Sequence, residues 1–264
     1  MLVDTHCHLY ASDFEPDISQ VMVRAREAGV RRVVVPGTDI ASSHQALQLA
    51  GQYEEVYCAV GVHPHEAEHW EHSTLAELYA MSASPKVVAI GEIGLDYYRN
   101  YSSKAAQERA FRRQLDLAAD LELPVIVHNR EATEDVLSQL LRWSIDLPAR
   151  LVGRAGVLHA YSAGERTAEQ ATEAGFYIGV AGPVTYANAD QLRDVVIRLP
   201  PDRMLIETDA PYLPPHPHRG ERNEPCYVAL IAVQLARVRG IDLTASGLTT
   251  SQNASILFGW DDGN

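Results

Sequence analysis

Histidines and carboxylates in this chain recur in short clusters whose spacing can bring them to one point. Near the start stands Asp4-Thr5-His6-Cys7-His8. In a strand, residues two apart share a face, so His6 and His8 point one way and Cys7 the other. Four more apolar, strand-like runs end in the same kind of side chain: Ala89-Ile90-Gly91-Glu92, Val125-Ile126-Val127-His128, Val157-Leu158-His159 and Leu205-Ile206-Glu207-Thr208-Asp209. A lone His-x-His pair says little. Four histidines and two carboxylates closing five runs form a constellation, because a buried charge needs a partner or a metal. The bland alternative is five separate coincidences of strand-end polarity. Six candidate ligands (His6, His8, Glu92, His128, His159 and Asp209) exceed what one tetrahedral ion takes, so the count predicts two divalent cations. Imidazole suits zinc and carboxylate suits magnesium or manganese, and a mixed set does not choose between them. Paired cations lower the pKa of a shared water and stabilise the oxygens of a phosphodiester in displacement. They also remove the need for a nucleophilic side chain: no Gly-x-Ser-x-Gly occurs, and Cys7, Cys58 and Cys226 lack a His/Asn setting.

Something must hold these residues together. Strand-like runs fall at 2–6, 32–37, 56–62, 87–93, 124–128, 157–159, 176–181 and 204–208. Helical spacing fills the gaps at 16–29, 41–52, 73–82, 102–122, 131–143, 163–174, 188–198 and 225–238. Gly29, Gly51 and Gly175 stand where helices should end, and Ser73, Ser102 and Asn188 where they should begin. Strand and helix alternating eight times predict an α/β fold, a (β/α)8 TIM barrel forming a single domain over 1–264. The site then lies at the C-terminal ends of the strands. A doubly wound open sheet is the rival, disfavoured by the strand count and the lack of Gly-x-Gly-x-x-Gly. A last helix at 246–258 should pack on the outside or the bottom of the barrel.

Composition limits the partners. Lys and Arg number 22 against 35 Asp and Glu, a formal charge of −13. That excludes a protein coating nucleic acid nonspecifically, which needs a broad basic field, but not one that holds it briefly at a local site. No apolar run reaches membrane-spanning length. An unpaired number of cysteines and a start without a basic leader segment predict a reducing, cytoplasmic setting. No membrane association and no stable protein partner are expected.

The stretches Asp4-Thr5-His6-Cys7-His8-Leu9, Gly61-Val62-His63-Pro64-His65, Gly91-Glu92-Ile93-Gly94-Leu95-Asp96-Tyr97, His159-Ala160-Tyr161-Ser162, Glu207-Thr208-Asp209-Ala210-Pro211-Tyr212 and Arg222-Asn223-Glu224-Pro225 closely resemble the TatD family of metal-dependent deoxyribonucleases, within the amidohydrolase superfamily. The resemblance runs in order from residue 3 to about 258. It implies a TIM barrel with a two-metal site that hydrolyses DNA, removing nucleotides 3′ to 5′ from single strands, with endonuclease or AP-site activity also possible. By the same resemblance, His6, His8, Glu92 and Asp209 hold one metal, and Glu92, His128 and His159 the other, with Glu92 bridging. Departures occur beside the ligands: Ala160-Tyr161-Ser162-Ala163-Gly164 follows His159, and Asn129 stands where Ser or Cys is common. They bear on substrate preference.

The substrate side follows from chemistry too. Arg99 and Arg130 can grip phosphate with a planar fork, or be solvated surface residues. Tyr97, Tyr98 and Tyr161 can stack on an unpaired base, or pack on the rim. His63 and His65 end the third strand and are expected to face the mouth, His63 behind the ligands or against phosphate; His65, His69 and His72 also have the spacing of a solvated helix face. The 211–219 loop, with His216 and His218, is expected over the mouth as a lid or rim, and Arg222, Asn223 and Glu224 are expected to fix it. Glu92 and Asp209 are the candidate catalytic groups, with Asp209 taking the water proton. Two rivals use the same residues. One hydrolyses a carbon centre, such as an ester on a D-aminoacyl-tRNA; relatives with amide chemistry often bridge their metals with a carboxylated Lys, but here that strand offers Glu92, with Lys86 at its wrong end. The other is a metal-retaining scaffold that only binds DNA.

Overall fold

The computed structural model describes residues 1–260; the last positions of the expected 1–264 unit, 261–264, lie outside the described residues. Its strands are β1 (Leu2–Asp4), β2 (Val30–Pro36), β3 (Val56–Val60), β4 (Val87–Asp96), β5 (Val125–Arg130), β6 (Gly156–Leu158), β7 (Phe176–Val180) and β8 (Met204–Ile206). The helices are α1 (Ile18–Glu27), α2 (Ile40–Gln52), α3 (Thr74–Met81), α4 (Lys104–Leu121), α5 (Thr133–Trp143), α6 (Glu165–Glu173), α7 (Asp190–Arg198), α8 (Val228–Arg239) and α9 (Leu243–Phe258). The strands lie in one sheet in sequence order, every neighbouring pair parallel. The seam closes without a full ladder. Thr5 N–H donates to Ile206 O (3.2 Å), Asp209 N–H to His6 O (2.8 Å) and His8 N–H to Ala210 O (2.7 Å). The fold is the predicted (β/α)8 barrel.

Each strand sends alternate residues inward, and the inward set forms two layers. The lower layer is apolar: Val34, Ala59, Ile126, Val157, Tyr177 and Leu205 pack with Ala254, Leu257 and Phe258 of α9. The last helix therefore closes the bottom of the barrel. One repeat further along the strands, the inward positions become His128, His159 and Glu207. Gly179 makes room for the last of these, since a Cβ there would lie 2.6 Å from a Glu207 carboxylate oxygen. Outward residues such as Val33, Val35, Cys58 and Val60 face the helices in a second apolar cluster.

Several local expectations shift. Gly29 and Gly175 do follow helices with left-handed φ (+87° and +91°), the conformation glycine adopts without penalty. Gly51, by contrast, lies inside the last turn of α2. Ser103 rather than Ser102 caps α4, accepting from Ala106 N–H, and Ala189 rather than Asn188 precedes α7. β4 extends past 93 to Asp96, every residue of it buried. Gly94 permits this, because a Cβ there would fall on the carbonyl oxygen of His128 in β5.

Candidate metal centre at the barrel mouth

Glu92 stands at the centre of the upper layer, 2% exposed. Its two oxygens face two different sets of imidazoles. Oε2 lies 3.4 Å from His6 Nε2 and 3.6 Å from His8 Nε2. Oε1 lies 2.9 Å from His128 Nδ1, 2.9 Å from His159 Nε2 and 3.4 Å from His63 Nε2. Asp209 Oδ1 completes the first set, 3.4 Å from His8 Nε2 and 3.6 Å from His6 Nε2. Asp209 has a φ of +58°, a left-handed conformation that Asp tolerates better than most residues. Its N–H, bonded to His6 O, ties that conformation to the first strand.

These atoms crowd as ligands do. His6 Nε2 and His8 Nε2 stand 3.2 Å apart. The His6 and His159 rings stack with centroids 3.9 Å apart. Buried His6 Nδ1, His128 Nε2 and His159 Nδ1 make no hydrogen bond, which in a protein interior calls for an explanation. Ligand atoms fall within 4.8 Å of one another in three sets: His6/His8/Asp209, His6/His159/Glu207 and His63/Glu92/His128. A mixed imidazole and carboxylate donor set of this kind fits divalent cations.

The charges depend on one another. Burial acts to raise the Glu92 carboxyl, but His159, His63 and His6, with the His128 hydrogen bond, hold it well below the usual carboxylate range. Burial likewise opposes ionisation of Asp209, and His8, His159 and His6 outweigh it. Burial pushes His159 towards neutrality, and the attraction of Glu92 with the Glu207 contact drives it well above the ordinary imidazole value. His63 goes the other way: burial, only partly offset by Glu92, pushes it down to about 4. Its Nδ1 accepts from His65 N–H (3.1 Å), leaving Nε2 to donate to Glu92.

The ligands form the floor of a cavity of about 700 Å³ whose rim includes Arg99, Arg130, Asn129, Tyr212 and Leu213. The family described as TatD related DNase matches residues 3–259. The chain belongs to the TatD family. An uncharacterized metal-dependent hydrolase, YabD of Bacillus subtilis, is 41% identical over 98% of this chain and 99% of its own length. A protein of Pectobacterium atrosepticum named 3′-5′ ssDNA/RNA exonuclease TatD is 40% identical over 97% and 99%. Among solved structures, the TatD homolog YjjV of Escherichia coli superposes with a TM-score of 0.91 at 33% identity, covering 98% of both chains. The chain is thus a TatD-family metal-dependent hydrolase.

Around this TatD site stand groups that the motifs alone leave without a role. Asp96 Oδ1 accepts from Tyr98 N–H and Arg99 N–H, both at 2.8 Å. Its Oδ2 accepts from His65 Nε2 (2.7 Å) and faces His128 Nε2 at 3.4 Å. One carboxylate therefore orients a histidine of the floor and the start of the Arg99 loop. His65 lies in a 3-10 helix, Pro64–His69, and turns into the cavity, as its place at the end of the third strand predicts and against the solvated face that its spacing with His69 and His72 suggests. His69 conforms to it, exposed and paired with Glu66. Glu207 accepts from Ala160 N–H and lies 3.5 Å from His159 Nδ1. Tyr10 OH meets His8 Nδ1 at 2.8 Å. The signal for Asp96, Glu207 and Tyr10 was there in part: each sits inside or beside a quoted motif, and Glu207 and Tyr10 lie two residues from Asp209 and His8.

The expected substrate residues divide. Arg99 and Arg130 reach the cavity, and Arg130 lies 4.0 Å and Arg99 5.4 Å from the Tyr98 ring centroid. The Tyr98 ring is thus engaged by both cations. Tyr97 is turned away, its hydroxyl on Asp135 and Lys104 Nζ 3.8 Å from its ring. Tyr161 stands apart from these. It is buried, donates to Gly164 O (2.7 Å) and lines a neighbouring cavity rather than the one above the ligands, because Ala160 turns the chain at φ +43°. The 211–219 loop forms the rim through Tyr212 and Leu213, while His218 pairs with Glu221 and stacks on Tyr227. Asn223 donates to Thr208 O (2.8 Å) and Tyr212 O (2.6 Å). Arg222 and Arg24 each pair with both Asp17 and Glu224. That network clamps the loop to α1. Lys86, before β4, binds the carbonyls of Glu54 and Val56.

Proposed function

We propose that the chain hydrolyses phosphodiester bonds of nucleic acid, removing nucleotides from the 3′ ends of single strands, with two divalent cations as cofactors. The observation that carries this reading is the divided Glu92 carboxylate, one oxygen toward His6 and His8 and the other toward His128 and His159, on the floor of a cavity rimmed by two arginines. His6, His8, Glu92 and Asp209 would hold one cation, and Glu92, His128 and His159 the other. When bound, such cations supply an activated water near neutral pH and stabilise charge on the phosphoryl oxygens. Asp209, in the cavity wall, takes the proton that water gives up. Arg99 and Arg130 pair with the non-bridging oxygens, and Tyr98 limits their freedom before substrate arrives. His63, neutral, donates to Glu92 Oε1 and keeps that oxygen oriented. The activity named for the Pectobacterium relative supports the same substrate class.

The test is to incubate purified protein with manganese, magnesium or zinc and, in parallel, 5′-labelled single-stranded DNA and RNA, AP-site DNA, D-aminoacyl-tRNA and a small phosphodiester. A ladder shortening from the 3′ end is expected. Turnover of the aminoacyl ester with intact oligonucleotides would overturn the reading.

A further inference from the structure

Beside the metal-side cavity lies a second one, of about 270 Å³, between the loops after β6 and β7 and the start of α7. The two share Ala160, Ser162 and Pro183 as wall residues, and Ala160 directly follows His159. Among the described residues no Lys, Arg, Asp or Glu lines the second cavity, and Arg219, outside its lining, lies 4.3 Å from the Tyr186 ring centroid. The first turn of α7 offers no free charge either, since its Asp190 is paired with Arg193. The walls are Tyr161, Tyr186, Pro183, Leu192 and small alanines. Both phenol hydroxyls are already committed, Tyr161 to Gly164 O and Tyr186 to Pro214 O, so the rings are held as walls. The polar groups left are the side chains of Ser162, Asn188 and Gln191. A hydroxyl and two amides each combine donor and acceptor. Flat apolar walls with uncharged donor-acceptor edges do not suit a phosphate, which the mouth already receives beside Arg99 and Arg130. They suit a neutral, planar heterocycle rimmed by donors and acceptors.

We propose that this cavity is a subsite for an unpaired nucleobase of the strand whose phosphodiester lies over the Glu92 site. The assignment rests on the nucleic-acid reading above and deepens it. It makes the mouth two-sided, with arginines on the β4–β5 side and a base pocket on the β6–β7 side. The enzyme would then require an unpaired nucleotide next to the bond it cuts, because a base held in a duplex cannot enter the pocket.

The experiment compares the native protein with Asn188→Ala/Gln191→Ala, and with Ala189→Phe, which fills the cavity from its partly exposed edge. Phosphorothioate-linked hexamers, cleaved slowly enough for equilibrium titration, carry one abasic nucleotide at each position in turn and are bound in the presence of manganese. At one position the missing base should weaken native binding about tenfold, as loss of one well-held base does. Both variants should bind the complete hexamer about tenfold more weakly and lose their sensitivity at that position. Turnover of a small chromogenic phosphodiester, which has no second nucleotide, should be unchanged in both. Equal binding of every abasic hexamer by the native protein, or the same positional profile in the variants, overturns the subsite. Failure of the hydrolysis reading looks different: the positional profile is present, but native protein cleaves neither oligonucleotide nor small phosphodiester.

Discussion

On β5, β6 and β8 the inward side chain changes from Ile126 to His128, from Val157 to His159 and from Leu205 to Glu207 within one repeat of the strand. The lower layer is completed by α9 and needs no partner beyond close packing. The upper layer is largely buried too, but nearly every member is charged or polar, and its groups are matched mainly by one another. Two residues of strand thus separate a region that supplies cohesion from one that spends it. The upper layer keeps imidazole nitrogens without hydrogen bonds, which the lower layer never does because it has no such groups.

The largest effect should come from removing a carboxylate of the upper layer. Glu92→Ala and Asp209→Ala should each abolish cleavage of single-stranded DNA, with far-ultraviolet circular dichroism unchanged and bound metal lowered by elemental analysis. Full activity in either would sink the ligand assignment. Chelation should do the same reversibly. Adding back manganese or zinc should restore turnover and raise the melting temperature, by the equivalent of about 2.7 kcal/mol when free metal is 100 times its Kd. In the lower layer the outcomes should reverse: Leu205→Ala is expected to cost about 2–5 kcal/mol in urea unfolding while turnover per folded molecule persists. Arg222→Ala, at a partly exposed clamp, should cost about 1 kcal/mol, with its effect on KM for oligonucleotides rather than on unfolding cooperativity. Smallest of all should be the effect of salt. With a charge of −13 and few cations at the mouth, the slope of log affinity against log salt should be shallow, and oligonucleotide titrations from 50 to 200 mM would reveal a steep one.

The barrel was legible because each strand is a continuous apolar run and each gap carries helical spacing. The floor of the site was legible because a two-residue period places strand-end histidines and carboxylates on the inner face. Where that period lapses, the reading falters. His65, His69 and His72 keep helical spacing in the sequence, but Pro64 opens a 3-10 helix that ends at His69, so His65 turns to Asp96 instead of water. β4 runs on to Asp96 because Gly94 lets it press against β5, a close approach that no run of hydrophobicity announces. Tyr161 misses the main cavity because of one left-handed residue, Ala160. Glu207 was visible but had no assigned partner, since its contact with His159 joins the end of β8 to the end of β6 over the intervening β7.

The seam between β1 and β8 has a consequence for how the molecule comes into being. Thr208 and Asp4, joined through two hydrogen bonds, are 204 positions apart, and Arg222 grips Asp17 from 205 away. Contacts of such separation are slow to form, because the loop between them must close first. On the ribosome His6, His8 and Glu92 emerge early, yet Asp209, the second carboxylate partner of the two histidines, arrives only after the last strand. Until then the sheet has two open edges and the early histidines have half a site. Completion of the barrel therefore also completes the metal centre, and a chain stalled before residue 204 would carry Glu92, His128 and His159 without Asp209.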